Sequence, residues 1–399
     1  MSQKLKVCVL TPRFPYPVIG GDRLRIYEIC RELSKTCELT LLSLCESKDE
    51  LYQEIPNDGV FQRVERVLLS KSQSFWNVFK SLHTKKPLQV AYYESGKFRE
   101  LVNAQLSDHD VFVAHLIRVG QYLIEKDVPR VLEMTDAISL NYSRFLADKS
   151  LSYFDLRSWV YKLEAKRVKD YEMACIKDFD AVSLVSDVDQ QFLCQDCDCE
   201  NVIVCSNGVQ LEKFPSYGAL SDSKRIAFVG NMYSVQNLDA VFYFARRVLP
   251  ILREVDDFVF KVIGRIHDRD AVRLRELPGV IVRPNVKSVS EELTDVFAAV
   301  APIRLGAGVQ NKVLEYMAAA IPTVVSELAA EGLGAVDGKH FLIARDEGEF
   351  AELLLSVSRD DSLAERLASA GRDYVEESHT WSSQLADFVS MVENLRGQN

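Results

Sequence analysis

Short apolar runs alternate with stretches of helical periodicity along this chain, and the alternation occurs twice. In the first half the runs are Lys6–Leu10, Glu38–Leu44, Asp110–His115, Val131–Met134, Ala181–Val185 and Val202–Cys205. In the second half they are Arg225–Val229, Phe258–Ile263, Val280–Val282, Ala298–Ile303, Pro322–Val325 and His340–Ala344. Strands separated by helix-patterned segments predict doubly wound α/β domains, here two of them in tandem. The stretch from Ser206-Asn207-Gly208-Val209 through Pro215–Ser223 is rich in Asn, Gly, Ser and Pro, and predicts a hinge running over the surface. The first domain is thus expected at 1–207 and the second at 208–379. From Thr380 onward, Leu385, Phe388, Val389, Val392 and Leu395 recur at helical spacing, predicting a C-terminal helix over 380–397 that packs back on the first domain.

At 399 residues the chain is longer than a single core usually grows, in keeping with two domains. A formal charge of -10 argues against a nucleic-acid partner, which would need a basic face. The start, Met1-Ser2-Gln3-Lys4-Leu5-Lys6, lacks a signal peptide's apolar core, and no apolar run approaches the ~20 residues that span a bilayer. A cytoplasmic protein is the expectation, with the inner membrane face as its one alternative site. The nine cysteines include Cys194, Cys197, Cys199 and Cys205, whose spacing fits no zinc module well; ordinary thiols and no bound metal are expected.

The most informative stretch runs from Val300 to Ala318: a buried strand, a glycine turn (Gly306, Ala307, Gly308, Val309, Gln310) and a helix start. Glycines permit close backbone approach, and the free N–H groups of a helix N-terminus favour an anion. Lys312 and Glu315 lie three residues apart and share a face, a cation for a phosphate and an acceptor for a hydroxyl. A sugar nucleotide offers both.

Other residues sit at expected strand ends, where open α/β sheets bind ligands. The loop after the first strand ends in Gly20, Gly21, Asp22 and Arg23, a turn or phosphate loop lacking both G-x-G-x-x-G spacing and a Walker lysine. Gly230 and Asn231 open the equivalent loop of the second half, and the two loops are expected to face each other across a cleft. Arg265 and Arg304 are further candidate cations, and His115 and Asp136 could orient an acceptor hydroxyl. The segment Ser74–Lys86 mixes aromatics with lysines; it reads as an ordinary packed helix with a basic end, the alternative being peripheral contact with an anionic membrane.

The tandem Rossmann-like halves, Val204–Val209, Phe228-Val229-Gly230-Asn231-Met232, and above all Gly306 to Met317 followed by Ala318–Ser326, resemble the GT-B glycosyltransferases of family 4. The resemblance covers essentially the whole chain, its specific motifs lie in the second half, and bacterial exopolysaccharide-cluster sugar transferases look most similar. It implies a retaining transferase that needs no metal or cofactor. A nucleotide-diphosphate sugar would bind the second domain and a glycan or lipid-linked acceptor the first. Glu315 matches the second glutamate of the family's Glu-x7-Glu motif, which holds the donor ribose, and Gly230, Asn231, Arg265, Arg304 and the 306–312 loop fall in the donor region. Two positions depart from the pattern. The first glutamate of the motif is Ala307, and the arginine and lysine that many members place on the diphosphate read Asn231 and Gln236. Lys312 is then the chief cation expected to act in catalysis, beside His115 and Asp136. The competing classes are a catalytically silent sugar-nucleotide-binding or scaffold protein and a GT-B sugar-nucleotide epimerase.

Overall fold

The computed structural model describes residues 4–147, 156–195, 199–216, 223–305 and 309–395. The chain divides into two units, one comprising Met1–Cys205 with Leu385–Asn399, the other Ser206–Gln384.

The first unit is built on a parallel sheet of seven strands: β1 (Leu5–Thr11), β2 (Cys37–Cys45), β3 (Arg63–Leu68), β4 (Val111–His115), β5 (Arg130–Thr135), β6 (Ala181–Leu184) and β7 (Val202–Val204). Their order is β3-β2-β1-β4-β5-β6-β7. The second unit has six strands: β8 (Arg225–Val229), β9 (Val259–Ile263), β10 (Val280–Arg283), β11 (Ala298–Ala301), β12 (Thr323–Ser326) and β13 (Leu342–Ala344). Their order, β10-β9-β8-β11-β12-β13, repeats the doubly wound pattern, and all pairings are parallel. Helices cover both faces of such sheets, so central strands such as β4 and β11 are buried along their length and read as unbroken apolar runs. In each sheet the order reverses between the first and fourth strands, and ligands of this architecture bind outside the carboxyl ends there.

The sequence pattern misses β3. This edge strand, Arg-Val-Glu-Arg-Val-Leu, keeps every residue at least partly exposed, so it can carry charge and lacks the apolar run that marks its neighbours.

The expected surface hinge is corrected over its first part, while Glu212, Lys213, Pro215 and Ser216 are exposed and 217–222 lie outside the described residues. Cys205 to Val209 is buried, with Ser206 and Asn207 only 8% exposed. The strip lies against the chain around His379–Gln384. Val209 N–H donates to the His379 carbonyl at 2.8 Å, Ser206 N–H to Gln384 Oε1 at 3.2 Å, and Val209 bridges Thr380. A Cβ on Gly208 would stand 2.4 Å from the Trp381 nitrogen, so this crossing admits only glycine. The polar residues of this strip answer a second chain segment rather than water. The helix Trp381–Asn394 follows, and Leu385, Phe388 and Val392 are fully buried, with the residues from Leu385 onward grouped with the first unit.

Candidate functional site

In the second unit the helix Asn311–Ala318 starts beside the end of β8. Tyr316, wholly buried, accepts a hydrogen bond from the Val229 N–H at 2.7 Å, which pins strand end and helix together. On the same helix Lys312 and Glu315 are half-buried. Lys312 donates to Gln310 Oε1 at 2.8 Å and lies 5.5 Å from the centre of the Phe228 ring. Burial pushes its ammonium down to about 8, against the raising pull of Glu315. Glu315 has no hydrogen-bond partner among the described residues, and burial pushes its carboxyl up to about 7 although Lys312 and Lys213 draw it down. A partly buried carboxylate without a partner is an acceptor waiting for donors.

The floor beside it is set by two glycines. A Cβ on Gly264, whose φ is +126°, would lie 2.0 Å from the Gly230 carbonyl oxygen, so the ends of β8 and β9 can meet only with glycine at 264, while a Cβ on Gly230 would press on the Phe228 ring at 2.9 Å. Gly230 N–H donates to Ile263 O at 3.0 Å and Met232 N–H to Arg265 O at 2.7 Å. Asn231 is used locally: its side chain accepts from Tyr233 N–H and its carbonyl from Asn237. Arg265 is exposed, with no ion-pair partner among the described residues. Arg304 is engaged, its guanidinium on Asp239 through two hydrogen bonds of 2.7 and 3.1 Å and 4.3 Å from the Tyr243 ring centre. Val309 and Gln310 precede the helix and are partly exposed. Gly306, Ala307 and Gly308 lie outside the described residues, as does Cys197.

In the first unit the ends of β4 and β5 and the helix Gly21–Leu33 converge on a buried network whose Arg25 and Glu133 the sequence pattern did not single out. Arg25, 1% exposed, donates to Glu133 Oε1 at 2.6 Å and to the Cys205 carbonyl at 2.8 Å. Glu133 Oε2 meets His115 Nδ1 at 2.5 Å, and Thr135 Oγ1 donates to the same carboxylate. Burial would raise the Glu133 carboxyl, but Arg25 and then His115 overcome it and hold it down at about 2. His115, itself only 2% exposed, is therefore oriented by a fixed anion through Nδ1, which leaves Nε2 as the ring nitrogen outside that contact. The backbone is strained here too: Leu116 and Thr135, neither of them glycine, have φ of 68° and 66°. Such residues cost ~1–3 kcal/mol each and cluster where function demands them. Asp136 follows Thr135, half-buried, and burial with the nearby Asp189 charge pushes it up to about 7.

Gly20 and Gly21 are exposed at the start of the helix Gly21–Leu33, but the charges beside them are taken up. Arg23 pairs with Glu50 at 2.6 Å, and Asp22 stands 3.6 Å from Arg13. Arg13, earlier in the same loop, lines a cavity of about 310 Å³ with Tyr92, Tyr93, Arg118, Tyr142 and Glu164. Its polar and aromatic lining comes from separate segments that only folding assembles. A larger cavity of about 490 Å³ in the second unit, lined by Ala319–Pro322 and Arg372, lies away from Lys312 and Glu315 at the other end of the same helix. Among the described residues no group of acidic, histidine or cysteine side chains is arranged to hold a metal.

With the geometry established, comparison with known proteins gives a consistent result. The family model described as glycosyl transferases group 1 matches residues 223–360. A Klebsiella pneumoniae relative, an uncharacterized 44.6 kDa protein in the cps region, is 23% identical over 163 residues, which is 39% of this chain and 42% of the relative. Among solved structures, sucrose-phosphate synthase from Thermosynechococcus elongatus superimposes with a TM-score of 0.75 at 11% identity, covering 99% of this chain and all of that one. Anabaena HepE, solved with UDP and glucose, gives a TM-score of 0.69 at 11% identity over 98% of this chain and 100% of its own. S. aureus TarM, solved as a mutant with fondaparinux, alpha-GlcNAc-glycerol and UDP, gives the same scores and coverage. The chain therefore has the GT-B fold, and its residues 223–360 match the model of the group 1 glycosyl transferases.

Proposed function

We propose that the chain is a retaining glycosyltransferase that moves a sugar from a nucleotide-diphosphate donor to a glycan or lipid-linked acceptor in bacterial polysaccharide synthesis, working in the cytoplasm without metal or cofactor. The observation that carries this reading is Glu315, an unpartnered, half-buried carboxylate one helical turn from Lys312 at the end of β8. A ribose diol supplies the missing donors and a diphosphate the missing counter-charge. HepE and TarM, which share the fold, were solved with UDP, and the cps-region relative supports a glycan product.

In the proposed reaction the bond between the anomeric carbon and the β-phosphate oxygen breaks, and its electron pair stays on the phosphate. Lys312, the N–H groups opening the helix Asn311–Ala318 and the exposed Arg265 stabilise that charge, the helix end contributing roughly half an elementary charge. The acceptor oxygen bonds to the same face of the sugar while its proton passes to the departing phosphate. His115, oriented by Glu133, and Asp136 position the acceptor hydroxyl. Arg304 acts indirectly, its charge already met by Asp239.

Ala307 favours a second reading, a silent nucleotide-sugar-binding protein, because the family's sugar-contacting glutamate is missing there. Both readings need Glu315. Glu315→Ala should weaken nucleoside diphosphate binding by about 1.5 to 3 kcal/mol in calorimetry, the value of a hydrogen bond to a charged group; unchanged affinity would remove the ribose from Glu315. Activity unaffected by a chelator is expected, and its loss on chelation would contradict the metal-free mechanism.

A further inference from the structure

The helix Lys71–Ser81 is built inside out. Its inward face is small and polar, with Ser74 and Ser81 buried, while Phe75, Trp76 and Phe79 are 65%, 56% and 63% exposed, and Leu82 continues the exposed face just beyond the helix. At 100° per residue these four apolar side chains fall on one arc. The expectation of an ordinary packed helix is thereby corrected: folding turns the aromatics toward solvent because Ser74, Asn77, Val78 and Ser81 make the contact with the body. Asn77 fixes that contact by donating to the Glu94 carbonyl at 2.8 Å. Trp76 and Phe79 stack on each other at 5.7 Å, and Lys80 Nζ lies over Trp76.

The charge around this patch opposes that of the chain. Residues 71–86 contain Lys71, Lys80, Lys85 and Lys86 and no acidic residue, within a protein of net charge -10; Lys86 is paired with Glu94 at 2.9 Å, and Lys71, Lys80 and Lys85 have no ion-pair partner among the described residues. An apolar face of Phe, Trp and Leu edged by lysines suits the boundary of an anionic bilayer, where aromatic rings enter the headgroup region and lysine stems snorkel to phosphates. Among the described residues no helix is long and apolar enough to cross a membrane, so any contact is peripheral. Phe75 also packs edge-on against Tyr92 at 6.1 Å, and Tyr92 lines the cavity that holds Arg13 and Arg118.

We propose that Lys71–Ser81 with Leu82 and Lys85 docks the first unit on an anionic lipid surface, bringing the Arg13–Arg118 cavity to a lipid-borne acceptor. The naming of the acceptor rests on the proposed function; the docking does not. Sedimentation with vesicles of phosphatidylcholine mixed with phosphatidylglycerol tests it directly, using the full chain and no donor. Binding is expected to the mixed vesicles, to weaken with added salt, and to be far weaker on pure phosphatidylcholine. The triple variant Phe75→Ser, Trp76→Ser, Phe79→Ser should lower partitioning by about tenfold or more while its circular dichroism melt and nucleotide affinity stay as in the parent. Absence of binding to mixed vesicles at low salt, or equal binding by the triple variant, overturns the proposal. So does a dimer that ignores vesicles and dissociates in the triple variant, which would make this face an interface between copies. Nucleotide affinity is read separately, so failure of docking and failure of the donor reading are distinguishable.

Discussion

At the residue scale the proposed donor site depends on two groups held away from their ordinary charge states by burial. Glu315 is pushed up to about 7 and Lys312 down to about 8. A carboxyl so raised is fully ionised only above about 7, and an ammonium so lowered is fully charged only below about 8. A ribose diol needs the carboxylate and a diphosphate needs the ammonium. Affinity for a nucleoside diphosphate should therefore peak between pH 7 and 8, falling on the acid side as Glu315 protonates and on the alkaline side as Lys312 loses its proton. Calorimetry across pH checks this: Glu315→Gln should flatten the acid limb relative to the parent and Lys312→Met the alkaline one. Identical profiles in parent and variants would show that neither group titrates on the ligand. Their common face was legible in the sequence, because a three-residue spacing on a helix after a glycine turn fixes it. Arg304 stood equally close in sequence, yet Asp239, 65 residues away, takes its guanidinium. Spacing cannot foretell a partner that distant.

At the scale of elements, the strand-end network of the first unit shows why its centre was harder to read. Glu133 sits inside an apolar strand, and Arg25 lies more than a hundred residues earlier on the helix Gly21–Leu33. Nothing local in either segment announces the pair, whereas His115 and Asp136 stood out because they close their strands. The network should matter to the fold as much as to the site. Arg25→Met leaves Glu133 with one charged partner fewer in a fully buried site, and should cost about 3 to 5 kcal/mol of unfolding free energy in denaturant titration. A loss below 1 kcal/mol would mean that Glu133 protonates or finds water instead. Charged β3 and the inverted helix Lys71–Ser81 escaped the pattern for a related reason. Hydrophobic periodicity reports burial, and an edge strand or an outward apolar face breaks the link between the two.

At the scale of the whole molecule, the doubly wound order of both sheets was legible because buried parallel strands must be continuously apolar and must alternate with helices. The polar strip around residue 206 marked the expected boundary, but its burial against His379–Gln384 was not legible, since that requires knowing which distant segment returns. The two units and the group 1 match over residues 223–360 make glycosyl transfer the economical reading, with Ala307 its sharpest challenge. The most direct test is to incubate the purified full chain with a panel of nucleotide-diphosphate sugars and follow release of free nucleoside diphosphate with the anomeric configuration of the sugar. One donor of the panel should be hydrolysed slowly without acceptor, with the anomeric configuration retained, and Lys312→Met should lower that rate by 10²-fold or more, roughly the loss of one group stabilising the leaving charge. A protein that binds the nucleoside diphosphate yet neither hydrolyses nor transfers any donor would contradict the account and leave the second unit as a binding module.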